Sequence, residues 1–158
     1  MSTSTFTKIK GWLEEAKIAM RLLHHEPTPT SEDSARVRGE DIAIGGKALL
    51  LKCDGTFHLF VISAAKRLDS KAIRKHLGVK KVRFATAEEL MERTGLIPGS
   101  VPPFGRPILD FNLYIDTSIE QNPRIAFNAG SITDSIILEI ADYLVVAKGE
   151  VFQFSRHE

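Results

Sequence analysis

Residues 95–105 read Gly95-Leu-Ile-Pro-Gly-Ser-Val-Pro-Pro-Phe-Gly105. Three glycines and three prolines in eleven residues rule out both a helix interior and a central strand. Pro98, Pro102 and Pro103 each fix φ and lack a backbone N–H, while Gly95, Gly99 and Gly105 permit positive φ or a close backbone approach. A segment stiff at its prolines and bare at its glycines can point N–H groups at a ligand. It can equally be a surface loop joining a helix to a strand. On either reading it is a junction, and the elements on its two sides decide the fold.

Working back from the loop, Thr86-Ala-Glu-Glu89 is a capping box that opens a helix to Thr94, closed by Gly95. Val82-Arg-Phe84 is a short strand. Asp69 caps a helix to His76 that ends at Gly78. Lys47 to Cys53 and Thr56 to Ile62 are apolar strands around Asp54-Gly55, a hairpin turn signal. Thr30 caps a helix from Ser31 to Arg38, with Gly39 past its end. Phe6, Ile9, Leu13, Ala16, Met20 and Leu23 step by three or four, which predicts a helix over 5–24 stopped by Pro27 and Pro29.

Working forward, Pro107 to Asp110 and Leu113 to Asp116 read as strands, and Thr117 to Gln121 as one helical turn. Arg124 to Phe127 is a strand, Asn128-Ala-Gly-Ser131 a turn, and Ser135 to Ile140 a strand by its β-branched content. Ala141 to Ala147 is a short helix and Glu150 to Phe154 a last strand. The expectation is α+β: one compact domain over residues 1–158, with a mixed sheet of about seven strands flanked by helices.

The totals narrow the function. With 158 residues, 43% hydrophobic and 26% charged, the chain can bury a real core. A net charge of +1 gives no global pull toward nucleic acid or membrane. The lone Cys53 fits a reducing cytoplasm, and the N-terminal residues lack a signal-peptide pattern. Uncharged apolar runs fall short of the roughly 20 residues a membrane span needs. His24, His25, His58, His76 and His157 lack metal-ligand spacing, so no metal and no cofactor is expected.

Charge is concentrated locally. Residues 66–83 hold Lys66, Arg67, Lys71, Arg74, Lys75, Lys80, Lys81 and Arg83 against one acid, Asp69. Such a cluster suits phosphate contacts; it is also what a solvated basic helix face looks like. Lys47 stands at the mouth of a leucine-rich strand behind Gly45-Gly46, where an ammonium needs an anion or water. It is not a P-loop, because Ala48 follows where Ser or Thr is required. Asn128 to Ser131 repeats the logic of the Gly/Pro loop on a smaller scale. Gly130 can expose N–H groups, and Asn128 and Ser131 carry polar side chains, although a tight turn between strands has the same composition. Neither a Gly-x-Ser-x-Gly elbow nor a Ser/His/Asp set stands out, and Cys53 reads as a buried small hydrophobe.

Gly45-Gly-Lys47-Ala-Leu-Leu-Leu, Gly99-Ser-Val-Pro-Pro103-Phe-Gly105 and Phe127-Asn-Ala-Gly130, in that order, resemble the YbaK and prolyl-tRNA synthetase-associated domain family. The resemblance covers roughly residues 20–155. It implies a compact α+β domain with a partly barrel-like sheet, acting in trans on mischarged tRNA, often tRNA for proline, by hydrolysing the aminoacyl ester. It assigns Lys47 to the terminal adenosine or its phosphate and the Gly99–Pro103 loop to the aminoacyl pocket. In such enzymes few protein side chains act, and the substrate's ribose hydroxyl helps position water.

On this reading the N–H groups of Gly99, Ser100 and Val101 and of Ala129, Gly130 and Ser131 face the developing oxyanion, at about 3 kcal/mol for each donor. Lys47, Gly99, Ser100, Val101 and Gly130 are then the catalytic set. Pro102, Pro103, Phe104, Asn128, Ala129 and Ser131 shape the substrate pocket, and Lys66, Arg67, Lys71, Arg74, Lys75, Lys80 and Lys81 contact tRNA. Ala48 stands where several members carry a polar side chain, and Asn128 where related deacylases carry histidine or a small residue. Both positions face the amino acid, which is expected to be small, alanine or serine. The expected partners are aminoacylated tRNA and an aminoacyl-tRNA synthetase, with no membrane and no DNA. The alternative is a non-catalytic module of the same fold that holds tRNA, a nucleotide or a synthetase.

Overall fold

A computed structural model describes residues 4–28 and 30–156; Pro29 and His157 lie outside the described residues. The local signals translate directly. Helix α2 (Ser31–Arg38) is capped by the Thr30 hydroxyl and ended by left-handed Gly39. Helix α3 (Ser70–Leu77) is capped by Asp69, and α4 (Ala87–Thr94) by the full Thr86/Glu89 capping box. Strands β2 (Gly46–Cys53) and β3 (Thr56–Ser63) form the hairpin, with Asp54 and Gly55 both at positive φ, as a two-residue primed turn requires.

The N-terminal expectation fails in part. Helix α1 spans only Thr5–Glu15, and Arg21–His24 form strand β1. Lys17 turns left-handed at φ 59°, Lys17 N–H donates to Glu14 O, and Ile18 N–H reaches back to Leu13 O. That hydrogen-bond pair closes the helix. The apolar residues beyond it keep a helical period, but β1 finds an antiparallel partner in β7 (Asp134–Glu139). Pro107 to Asp110 is also not a strand. The N–H groups of Ile108 and Leu109 both donate to Gly105 O, which holds the segment in a turn, and Arg106 grips Asp110. The last strand, β8, covers only Glu150–Val151.

The remaining elements are β4 (Val82–Phe84), β5 (Leu113–Ile115), α5 (Thr117–Glu120), β6 (Arg124–Asn128) and α6 (Ile140–Ala147). The strands divide into a five-stranded sheet, β4-β2-β3-β5-β8, and a three-stranded sheet, β1-β7-β6. The fold is thus mixed α+β, but with two sheets in place of one. Parallel pairing occurs at β3–β5 and β5–β8.

Strand β3 is buried on both faces, which explains its unbroken apolar run. Leu59 and Val61 join the main core with Ile9 and Leu13 of α1, Phe127 of β6 and Ile136 of β7. Phe60 and Ile62 face the opposite side, where Ile73 of α3 covers them. Each such side chain contributes about 1.5–3 kcal/mol by leaving water.

The two sheets meet where β2 begins. An isolated parallel bridge joins Gly45 to Ala126 of β6. A Cβ on Gly46 would lie 2.5 Å from Ile125 Cδ1, so this position must be bare for the sheets to approach. The Gly-Gly pair is therefore first a packing device, and the cleft it creates holds the candidate site.

Candidate active site

A cavity of about 250 Å³ opens at this junction. One wall is a stripe of α2: Ser31, Ser34 and Arg38, spaced by three and four, with Thr30 at the helix cap. The facing wall is the start of β2, with Gly46, Lys47, Ala48 and Leu49. Gly99 and Val101 of the Gly/Pro loop and Asn128 at the end of β6 complete it. The cavity thus brings together Lys47, one of the two loops' bare glycines and the Asn128 turn, from distant parts of the chain. Among the described residues two cations line it, and no carboxylate, imidazole or thiol does.

Lys47 is half-buried, and among the described residues its ammonium donates only to Lys66 O, at 3.4 Å. Burial lowers its pKa from the ordinary lysine value, with Glu32 in the first turn of α2 acting in the opposite direction. The basic stretch starts at this contact. Arg67, Lys71, Lys75, Lys80 and Lys81 are exposed, and Lys66 and Arg74 half-buried. None of these seven forms an ion pair among the described residues, whereas Arg83 is paired with Glu89.

The Gly/Pro loop is clamped to β6. Asn128 Nδ2 donates to Gly99 O at 2.8 Å, and Gly130 N–H donates to Ser100 O at 2.9 Å. Gly99 sits at φ +88° and Gly130 at φ +86°, both conformations suited to glycine. The Ser100–Val101 peptide is trans, so fixing its carbonyl aims the Val101 N–H the opposite way. Among the described residues the N–H groups of Gly99 and Val101 have no hydrogen-bond partner.

Other candidates lie elsewhere. The Ser100 N–H and hydroxyl both donate to Ile97 O, and Ala129 N–H donates to Asp134 O. With Gly130 already committed to Ser100, these three N–H groups are not available to an oxyanion. Pro102 and Pro103 are buried behind the loop, where Tyr143 donates to Pro103 O at 2.7 Å. Phe104 is in the core, edge-on to Trp12 and Phe127. Ser131 donates to Asp134 and does not line the cavity. The Asn128 amide, expected to face the amino acid, is held by protein at both ends: Oδ1 accepts from Arg38 Nη2 at 3.0 Å, and Nδ2 commits one of its two N–H groups to Gly99 O.

Arg38 is the functional residue that the sequence did not reveal. Its side chain is only 6% exposed and bonds to neutral acceptors alone: Ser135 Oγ, Asn128 Oδ1 and, at 3.5 Å, Ala126 O. Burial lowers its pKa to about 10, and nearby Glu40 offsets this in part. Glu40 itself is held bidentately by Arg124. An arginine in a last helical turn is common, and nothing in its neighbours marks this one.

A half-buried ammonium, free peptide donors and serine hydroxyls without a partner among the described residues share this one cavity. The aminoacyl-tRNA editing domain family matches residues 25–145, and the chain belongs to that family. It is 32% identical to the multifunctional Ser/Thr-tRNA deacylase ProXp-y of Escherichia coli K12, over 96% of this chain and 93% of that protein. It is 27% identical to the prolyl-tRNA editing protein ProX of Acetoanaerobium sticklandii, over 89% of this chain and 90% of that one. A solved structure described as a candidate trans-editing enzyme for prolyl-tRNA synthetase superposes with a TM-score of 0.85 at 22% identity, covering 99% of this chain and 100% of that one. At that identity the likeness concerns the fold.

Proposed function

We propose that the protein is a trans-acting deacylase that hydrolyses the ester of mischarged tRNA for proline in the cytoplasm, the whole chain serving as one editing domain. The observation that carries this reading is the convergence of Lys47, Gly99, Val101 and Asn128 on one cavity that also holds Arg38. Lys47 meets the terminal phosphate, and the cations from Lys66 to Lys81 follow the tRNA backbone away from the cleft. The acyl group lies between the Gly99 loop and α2. There the Ser31 and Ser34 hydroxyls have no protein partner among the described residues and suit serine ahead of alanine.

An aminoacyl ester is already activated, so the reaction needs charge stabilisation more than a nucleophile. Val101 N–H, held by the Gly130 clamp, is the best-placed donor for the oxyanion, at about 3 kcal/mol. Among the described residues no imidazole or carboxylate lines the cavity wall, and the substrate's own ribose hydroxyl is left to orient water. That same absence supports the second reading, a module that binds charged tRNA, with or without a synthetase, and releases nothing.

A panel of mischarged tRNAs separates the two. Release of free serine or alanine from tRNA for proline supports the deacylase. Tight binding with no release from any member supports the module.

A further inference from the structure

Arg38 reaches the Gly/Pro loop through a single intermediary. Its Nη2 donates to Asn128 Oδ1 at 3.0 Å, and Asn128 Nδ2 donates to Gly99 O at 2.8 Å. Its Nε donates to Ser135 Oγ at 3.0 Å, and that hydroxyl lies between His25 Nε2 at 2.8 Å and Asn128 Oδ1 at 3.2 Å. An amide can sit in either of two flipped orientations, and only one puts its NH₂ toward Gly99. Arg38 Nη2 can only donate, so its bond to Oδ1 selects that one.

We propose that Arg38 is a positioning residue: its fork locks the Asn128 amide, and the amide in turn holds the Gly99 peptide where the loop's free N–H groups face the acyl group. The fork matters, because Nε and Nη2 point at Ser135 and Asn128 at once; a lysine ammonium on a flexible stem cannot reproduce that planar geometry. Arg38 also lacks an ion pair among the described residues, so its burial is not explained by charge pairing. The kinetic part of this inference rests on the deacylase reading; the structural part does not.

The test uses the full chain with Arg38→Lys, Asn128→Ala and the double variant. Single-turnover hydrolysis of the best mischarged tRNA is expected to fall about 10- to 100-fold in Arg38→Lys, with KM within about twofold, because a displaced loop costs rate more than binding. The double variant should match Asn128→Ala within about twofold, since the two residues act in series. The Asn128 side-chain NH₂ resonances, assigned by their loss in Asn128→Ala, should shift and exchange faster with solvent in Arg38→Lys. Guanidinium ion should restore part of the rate in Arg38→Ala.

Multiplying effects in the double variant, or a KM increase with kcat unchanged, would show Arg38 touching substrate directly and overturn the proposal. An unmoved Asn128 resonance in Arg38→Lys overturns it as well. If the wild type hydrolyses no mischarged tRNA, the deacylase reading fails, and the resonance alone still decides the role of Arg38.

Discussion

Asn128 Nδ2 donates to the carbonyl oxygen of Gly99 at 2.8 Å, a contact between the end of one strand and a loop 29 residues earlier. Two residues on, Gly130 N–H takes the next carbonyl, Ser100 O, at 2.9 Å. Two donors, one at the end of β6 and one in the turn after it, hold successive acceptors on the loop, so the loop cannot rotate a peptide without breaking one of them. Asn128→Asp removes the donor while giving Arg38 a charged partner. Stability should change by no more than about 1 kcal/mol, the worth of one neutral hydrogen bond. Hydrolysis should fall about 10- to 100-fold. Urea unfolding and single-turnover kinetics on the same preparation check both halves.

Gly130 and Gly95 test the clamp from the side of packing. Both have positive φ, but a Cβ on Gly130 would lie 2.7 Å from Thr5 Cβ and 3.2 Å from Phe6 N. Around Gly95 nothing lies within 4 Å. Gly95→Ala should therefore cost only the backbone strain, about 1–2 kcal/mol. Gly130→Ala should cost about 3 kcal/mol or more, because α1 must also move. Denaturation midpoints for the two variants should rank in that order.

Burial sets the sign of a pH effect at Lys47. Its folded pKa lies below the unfolded value of 10.5, so the protonated side chain opposes folding. That opposition is full below the folded pKa and vanishes as pH rises through it toward 10.5. Lys47→Met should be more stable than wild type at neutral pH, with the difference shrinking as pH rises. Urea midpoints between neutral pH and about pH 10 measure the trend.

The unpaired cations of α3 and the segment after it should act on binding alone. Lys71→Glu with Lys75→Glu should raise KM for charged tRNA and leave kcat unchanged. Removing two phosphate contacts should also flatten the dependence of log K on log salt by about 2. Titrations at several salt concentrations give that slope.

Much of the fold was legible because its signals are local. The Thr30, Asp69 and Thr86 caps, and the Asp54-Gly55 turn, act within four residues of themselves. Strand β1 was not, because Leu23 continues the helical spacing of α1 and only β7 makes its segment a strand. The split into two sheets also escaped, since it depends on Gly46 meeting Ile125 from another part of the chain.

The site divides the same way. Lys47, Gly99 and Asn128 announce themselves by unusual neighbours. Arg38 does not, because its environment is assembled by β6 and β7, about 90 to 100 residues away. Phe104 and Pro103 were legible as part of the loop but serve its footing in the core.

The most direct measurement is hydrolysis of serine mischarged on tRNA for proline by wild type and by Lys47→Ala, with folding of both verified by circular dichroism. The expected result is release of free serine by wild type and a kcat/KM at least about 30-fold lower in the variant, on the order of 2 kcal/mol of lost transition-state stabilisation. Equal rates for the two proteins would contradict the assignment of this cavity as the place where the ester is cleaved.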